Sequence, residues 1–219
     1  MPATDNDNVN VNLWRNAEHA VDYLEHRGLI PRRSEAYSVL LEILPTNVER
    51  VLDLGTGDGC TLGLVLDARP GATGVGLDFQ AEMLKRARER FAGRADVEIA
   101  EHDLDVGLAA GLGEFDVIVS SFAIHHLVPE RQRALYGEIF DRLVPGGTFA
   151  HVEHVASRTP RRHEEFLYAI ASSPDGDDPS NKLVPLESHL AWLDGIGFAD
   201  AECLWKWREL AVFTGTKPR

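Results

Sequence analysis

The stretch Val51-Leu52-Asp53-Leu54-Gly55-Thr56-Gly57-Asp58-Gly59 decides the fold of this 219-residue chain. An apolar run of strand length ends at Asp53, a glycine-rich turn follows, and Cys60 to Ala68 has the pattern of a helix. This order is typical of the first β-α unit of a doubly wound sheet, in which ligands bind beyond the carboxyl ends of the strands. Glycines are favoured there because a Cβ would clash with a ligand lying against the backbone, and because such a turn often requires positive φ.

A second apolar run, Gly74-Val75-Gly76-Leu77-Asp78, ends in an acid placed to accept hydrogen bonds from ribose hydroxyls. The glycine spacing differs from a dinucleotide fingerprint, because a Gly-x-Gly-x-x-Gly pattern begun at Gly57 would have Leu62 as its third position. Asp53 and Asp58 also flank the turn with negative charge, which would repel a pyrophosphate and attract an ammonium or sulfonium cation. A cationic nucleoside therefore fits this turn better than NAD.

The chain resembles the class I S-adenosylmethionine (SAM)-dependent methyltransferases, whose first motif is hydrophobic-Asp-x-Gly-x-Gly-x-Gly. The resemblance covers residues 48 to 155, and further landmarks follow the first motif in the family's order. They are Phe79 to Leu84, Glu101-His102-Asp103-Leu104, the strand and loop from Phe115 to Leu127, and the turn from Leu143 to Phe149. The implied fold is a Rossmann-like, doubly wound α/β sheet of seven strands, mostly parallel with an antiparallel last strand, with helices on both faces and an N-terminal helical lid.

The resemblance also assigns roles in a SAM site. Phe79 to Met83 packs on adenine, and Asp103 accepts a hydrogen bond from the adenine amine. An N-terminal arginine, here Arg33, reaches the methionine carboxylate, and Tyr23 closes over the cofactor; a surface cation and a half-buried helix aromatic are equally good interpretations of these two. The predicted cofactor-binding residues are Tyr23, Arg33, Asp53, Gly55, Thr56, Gly57, Gly59, Asp78, Phe79, Met83, Asp103, Leu104, Ser120 and Ser121.

Composition is that of one α/β domain with a sizeable core, since 44% of residues are hydrophobic and 26% charged. A net charge of -13 disfavours binding to nucleic acid, because proteins that bind nucleic acid present basic patches, and it favours a small-molecule acceptor.

Two cysteines, Cys60 and Cys203, provide neither a disulfide framework nor a zinc site. Neither a membrane-spanning run nor a signal peptide is recognisable, so we expect a cytoplasmic protein; its oligomeric state is left open.

The predicted organisation is a flexible arm over residues 1–12 and a single domain over 13–219. Within the domain we expect an N-terminal helical lid (13–46), a cofactor half (47–155) and substrate-side helices with the last two strands (156–219). Later elements are predicted at Val97 to Ala100, Pro129 to Leu143, Phe149 to Val155, Pro160 to Ala171 and Leu186 to Gly195. The final strands, Asp200 to Trp207 and Leu210 to Thr216, are close enough to form a hairpin at the sheet edge.

Histidines are concentrated where the active face is expected: six of the nine, His102, His125, His126, His151, His154 and His163, lie in the segments at or after the ends of the third, fourth and fifth strands. One interpretation is that His125, His126 or His154 acts as a general base, because a pKa of about 6.5 suits proton removal near neutral pH. We take His125 and His154, with Glu153, as the candidate catalytic residues. A structural role for His125-His126-Leu127 is an equally good interpretation. We predict no metal site, because on a strand His151 and Glu153 share one face while His154 points to the other.

Two other segments have alternative interpretations. Asp175 to Asn181 is either a mobile substrate gate or a solvated linker. Trp205-Lys206-Trp207-Arg208 suggests nucleic-acid or cation–π contacts, but we expect the two tryptophans to pack on one sheet face against a helix.

Three functions fit the sequence. The leading one is methyl transfer to a small molecule, releasing S-adenosylhomocysteine. The second is another reaction of SAM at a non-methyl carbon, such as cyclisation that releases methylthioadenosine. The third, a non-catalytic SAM-binding module, is disfavoured because the glycine turn and both acidic positions are intact.

Overall fold

A computed structural model describes residues 12–19, 21, 28 and 30–219. Residues 1–11 of the predicted arm and Tyr23 lie outside the described residues. The division of the chain into lid, cofactor half and substrate-side part stays a prediction.

Seven strands form one sheet in the order β3-β2-β1-β4-β5-β7-β6. The strands are β1 (Arg50–Leu54), β2 (Thr73–Asp78), β3 (Val97–Glu101), β4 (Phe115–Ser121), β5 (Leu143–His154), β6 (Ala199–Trp207) and β7 (Leu210–Thr216). The pairs among β1 to β5 are parallel, and β7 is antiparallel to both of its neighbours, β5 and β6. This is the predicted doubly wound sheet with an antiparallel last strand.

Six helices whose bounds the structure describes flank this sheet. They are α1 (Arg33–Ile43), α2 (Cys60–Ala68), α3 (Ala81–Arg90), α4 (Pro129–Arg142), α5 (Pro160–Ala169) and α6 (Leu186–Ile196). Side chains of α1 and α2 pack with one buried cluster, while those of α4 and α6 pack with the other, so helices cover both faces. None of the helices described combines the length and apolar character that a bilayer crossing requires.

The order of the strands determines where in the sheet a ligand-binding crevice forms. Chain direction reverses across the sheet between β1 and β4, because β2 and β3 follow β1 on one side while β4 and β5 lie on the other. A crevice forms at such a switch point, beyond the carboxyl ends of the strands. The glycine turn after β1, the residues after β2 and the loop after β4 all open onto this crevice.

Most predicted elements are confirmed, with differences at their ends. The helix α2 and the strand β7 have the predicted bounds, whereas β5 begins at Leu143 rather than Phe149. The early part of β5 was missed because Pro145, Gly146 and Gly147 are typical of a turn. In the structure Leu143 pairs with Phe115, and the register with β4 shifts before pairing resumes at Thr148.

The tryptophans of β6 pack as expected. Trp205 and Trp207 lie on the same half-buried face of the strand, against a small cluster that includes Phe166 and Leu167 of α5. The cation–π interpretation also holds in part, because the Arg208 guanidinium lies 5.7 Å from the ring centre of Trp207. The last two strands form the predicted hairpin, with β6 at the edge of the sheet.

Candidate functional site

A cavity of about 830 Å³, including its open mouth, lies at the carboxyl ends of β1, β2 and β4. Ten of the residues predicted to bind the cofactor line it: Arg33, Gly55, Thr56, Gly57, Asp78, Phe79, Met83, Asp103, Leu104 and Ser121. Trp14, from the segment before α1, also lines the cavity.

The shape of the glycine turn is fixed from behind by Asp53. One carboxylate oxygen of this buried residue accepts hydrogen bonds from the Thr56 hydroxyl (2.7 Å) and the Leu62 backbone N–H (3.1 Å). These contacts join the end of β1 to the turn and to the first residues of α2. Asp53 does not line the cavity, so we correct its predicted role from ligand contact to support of the turn.

Two glycines of the turn are needed for different reasons. Gly55 has φ of +68°, and a Cβ built on it would lie 2.2 Å from the Cβ of Ala123, so the loop after β4 leaves no space for a side chain. Gly57 has φ of +56°, but a Cβ there would meet only the Met83 sulfur at 4.0 Å. Gly57 therefore leaves its space to the cavity, as expected where a ligand lies against the backbone.

Asp78, at the end of β2, is held against the same turn. Its Oδ2 accepts a hydrogen bond from the Gly57 N–H at 2.8 Å, and its Oδ1 accepts one from the Gln80 N–H at 2.9 Å. Burial raises the pKa of Asp78, and these backbone hydrogen bonds oppose the rise. Each carboxylate oxygen keeps a lone pair for a further donor, such as a hydroxyl group of a ligand.

A mostly apolar compartment lies next to Asp78. Phe79, Met83 and Leu104 line it, and Asp103 lies at its rim. Asp103 is already engaged, because its Oδ2 accepts a hydrogen bond from the Arg15 guanidinium at 2.9 Å. The same guanidinium lies 5.5 Å from the ring centre of Phe79, so the segment before α1 covers this end of the cavity.

The opposite end of the cavity contains a cation held in a fixed position. The Arg33 guanidinium donates to the Tyr37 hydroxyl from Nε (2.9 Å) and Nη2 (2.6 Å), and that hydroxyl lies 3.0 Å from the Ser121 Oγ. Arg33 also lies over the rings of Tyr37 and Phe122. Ser121, at the end of β4, thus connects the arginine to the sheet edge.

The negative charges that flank the turn do not face a ligand as the sequence suggested. Burial, with smaller contributions from the charges of Asp78 and Asp58, raises the pKa of Asp53 to about 7. Asp58 lines the cavity, but its carboxylate pairs with Arg90 of α3 at 2.6 Å. Neither acid is therefore an exposed negative charge aimed into the cavity, and the electrostatic argument for a cationic ligand is not supported by these contacts.

Two further residues that were predicted to bind the cofactor lie behind the cavity wall. The Ser120 hydroxyl is buried and donates to the Leu54 carbonyl at 2.8 Å. Gly59, at the start of α2, faces Phe91, because a Cβ there would lie 2.5 Å from that ring. Both therefore shape the site without lining it.

The residues predicted as catalytic, His125, Glu153 and His154, do not line the cavity. The short 3₁₀ turn Ile124–His126 after β4 directs His125 into the protein, where its Nδ1 and its backbone N–H both bond to the buried carboxylate of Glu153. Burial would raise the pKa of Glu153, but neighbouring His125 and His151 hold it well below its usual value. The adjacent His126 lines the cavity instead.

His154 belongs to a second polar cluster outside the cavity. Its Nε2 lies 2.8 Å from Glu209 Oε2 in the turn between β6 and β7, and burial lowers its pKa. His163 of α5 bonds to the other oxygen of Glu209 at 3.0 Å and to Asp177 at 3.1 Å. These carboxylates raise the pKa of His163 against the effect of burial. The cluster joins β5, α5, the β6–β7 turn and the loop before α6.

The buried polar network continues from Glu153 into the core. His151 Nε2 lies 2.9 Å from Glu153, and the Tyr136 hydroxyl lies within hydrogen-bond distance of both His151 Nδ1 (3.2 Å) and His189 Nδ1 (2.8 Å). Burial lowers the pKa of His189 to about 4.

His151 and Glu153 share one face of β5, while the His154 ring packs on Phe166, as the alternation of strand side chains predicts. In the described part of the chain, no group of three or more potential ligands has the arrangement of a metal site.

Sequence reasoning left several lining residues out of the predicted site. Cys60 and Thr61 line the cavity where α2 begins, and His102 and Phe122 line it just after β3 and β4. His102 and Phe122 could have been predicted, because residues directly after a strand end lie at the ligand-binding edge of such a sheet. Trp14 was recognised as part of a covering segment but not as a wall of the site.

Comparison with known proteins places this geometry in a family. Residues 52–149 match the family model described as a methyltransferase domain. An uncharacterised methyltransferase of Mycobacterium tuberculosis is 34% identical over 120 residues, which cover 54% of this chain and 58% of that protein. The chain thus spans less than two thirds of this relative, and the match concerns the domain that contains the cavity.

Two other proteins match over most of this chain. A carboxy-S-adenosyl-L-methionine synthase of Helicobacter hepaticus is 28% identical over 211 residues, covering 89% of this chain and 86% of that protein. The structure of an O-methyltransferase family protein from Burkholderia thailandensis superposes with a TM-score of 0.73 at 19% identity, covering 94% of this chain and 61% of that one. The second likeness establishes the fold.

Proposed function

We propose that this chain, which belongs to the class I SAM-dependent methyltransferases, transfers the methyl group of SAM to a small molecule and releases S-adenosylhomocysteine. The observation that carries the proposal is the contact between the Gly57 N–H and the Asp78 carboxylate. It joins a turn that leaves space for a ligand to an acid that still has lone pairs for ribose hydroxyls. Both lie where a doubly wound sheet binds nucleosides.

The residues along the cavity suit the two ends of SAM. Asp78 would accept the ribose hydroxyls, and the adenine would lie among Phe79, Met83 and Leu104. Arg33, already oriented by Tyr37, would pair with the methionine carboxylate as a charge-assisted contact. Asp103 would accept the adenine amine only by sharing its carboxylate with Arg15, so the covering segment and the cofactor would be bound together.

Positioning would then supply much of the rate. Bound SAM supplies an electrophilic methyl group on a sulfonium, which a nucleophile attacks in line with the breaking carbon–sulfur bond. The chain's contribution is to fix the nucleoside at Asp78 and the carboxylate at Arg33, so that the acceptor approaches from the side of Trp14 and His126. Holding two reactants in this way can contribute about 7–11 kcal/mol without any catalytic base.

Product analysis tests the proposal. The protein is incubated with SAM, with and without a panel of small hydroxyl, amine and thiol compounds, and the nucleoside products are separated by chromatography and mass. S-adenosylhomocysteine formed only with an acceptor supports methyl transfer. Methylthioadenosine would support cyclisation of SAM, and SAM binding with no product from any compound would support a binding module.

A second candidate is synthesis of a carboxylated SAM. The observation that favours it is the match to the carboxy-SAM synthase of Helicobacter hepaticus, which extends over 86% of that protein. In the same assay this activity would give a nucleoside heavier than SAM by a carboxyl group, formed only when a carboxyl donor is present. Methyl transfer stays the leading proposal because the family model that matches is a methyltransferase domain.

A further inference from the structure

Two adjacent histidines after β4 have different surroundings. His125 is bonded to Glu153 behind the wall, whereas His126 lines the cavity, with its ring centre 5.3 Å from that of Trp14. Apolar residues, including Leu127 and Phe122, line the same region. His126 is therefore the histidine of this pair that an acceptor in the cavity would meet.

The hydrogen bonds around Ser180 fix the protonation of the His126 ring. Ser180 is fully buried, and its Oγ lies 2.6 Å from Asp178 Oδ1, a distance at which the hydroxyl donates to the carboxylate. The same Oγ lies 3.3 Å from His126 Nδ1. Because a hydroxyl has one proton, and Asp178 takes it, the serine oxygen can only accept from the ring. The proton of neutral His126 is then on Nδ1, and Nε2 carries the lone pair.

The loop that contains Ser180 is itself held against the 3₁₀ turn Ile124–His126. The Lys182 backbone N–H donates to the His125 carbonyl at 2.7 Å, and Gln132 of α4 bonds to the Lys182 carbonyl at 2.9 Å. Asp178 also lies 3.6 Å from His19 of the segment before α1. Burial and the neighbouring His125 lower the pKa of His126 well below its ordinary value, so that its lone pair is available at neutral pH.

We infer that His126 accepts the proton of the attacking group and that Ser180 and Asp178 are positioning residues that keep its Nε2 unprotonated. The inference rests on the proposed function and narrows it to acceptors with a hydroxyl or amine group on an apolar or aromatic body. As the nucleophile bonds to the methyl carbon, the electron pair of the carbon–sulfur bond passes to sulfur and the nucleophile's proton passes to His126 Nε2. The imidazolium then releases that proton to solvent.

The first test is NMR of protein labelled with ¹⁵N-histidine, in complex with S-adenosylhomocysteine. We expect the His126 proton on Nδ1, and titration with catechol or benzylamine, as hydroxyl and amine probes, should move the Nε2 resonance. A proton on Nε2, or no movement with either probe, overturns the inference. Failure of the proposed function is seen separately, in the product assay, as absence of S-adenosylhomocysteine with every acceptor tested.

The second test compares two variants in the turnover assay with whichever of the two probes is methylated. His126→Gln keeps a hydrogen-bond acceptor but cannot take a proton, so kcat should fall about 10²–10⁴-fold while the KM of the probe changes little. Ser180→Ala removes the hydroxyl and should lower kcat less, with SAM affinity unchanged. Unchanged kcat in His126→Gln would overturn the assignment.

Discussion

Asp53 makes the stability of the protein depend on pH in a defined direction. It is fully buried, one carboxylate oxygen has no hydrogen-bond partner among the described residues, and its pKa is raised from 3.8 to about 7. Between pH 5 and 7 the unfolded chain has this group ionised while the native protein keeps it protonated, so folding takes up a proton. Stability contributed by Asp53 is therefore present at low pH and lost as pH rises.

The size of the effect follows from the shift. Each pH unit between the unfolded and folded pKa changes the free energy of unfolding by about 1.4 kcal/mol, so raising the pH from 5 to 7 should cost about 3 kcal/mol. Asp53→Asn mimics the protonated carboxyl and keeps an acceptor for Thr56 and Leu62, so it should not show this loss. Other titrating groups are common to both proteins and cancel in the difference.

Urea unfolding of both proteins at pH 5 and pH 8, without ligand, measures that difference. We expect the free energy of unfolding of Asp53→Asn, relative to that of the wild-type protein, to be about 2–3 kcal/mol higher at pH 8 than at pH 5. A difference that is constant with pH would show that Asp53 is ionised in the native state throughout, and would refute the burial argument.

Three further predictions concern the cavity and the second polar cluster. Gly57→Val should abolish SAM binding in calorimetry, whereas Gly93→Val, also at positive φ but with open space around its Cβ, should cost about 1–2 kcal/mol of stability and leave binding intact. Asp78→Ala should weaken SAM binding by about 1–3 kcal/mol, because ribose donors lose their acceptor; affinity within twofold of wild type would place the nucleoside elsewhere. His163→Ala should destabilise the protein more at pH 6 than at pH 9, since the raised pKa of His163 gives stability that is present below pH 6.5 and lost as pH rises through the folded value; equal losses at both pH values would contradict this.

The sheet could be predicted because its elements have clear local boundaries. Glycine turns and polar residues delimit α2 and β7, and their predicted bounds match the structure. The start of β5 could not be found locally, because Pro145-Gly146-Gly147 suits a turn and is a strand only through its partners. Chain order also did not tell which strand of the last hairpin would pair with β5.

The cofactor side of the site could be predicted better than the acceptor side. Glycines and acids at strand ends have a fixed relation to the sheet edge, so Gly57 and Asp78 lie where the motif places them. A histidine after a strand can turn either to the cavity or to the core. The choice between His125 and His126 depends on a buried partner, Glu153, that is distant in sequence. The placement corrects the choice of His125 and His154 as candidate catalytic residues, because neither lines the cavity.

The position of β7 has a consequence for how the protein is made. β7 (Leu210–Thr216) lies between β5 and β6, although it is synthesised after both. Until the ribosome has added these residues, one edge of the long, buried strand β5 has no partner, and an unpaired strand edge can associate with other chains. The parallel half of the sheet can form during synthesis, but the sheet is completed only when residues 210–216 leave the ribosome and insert between two strands.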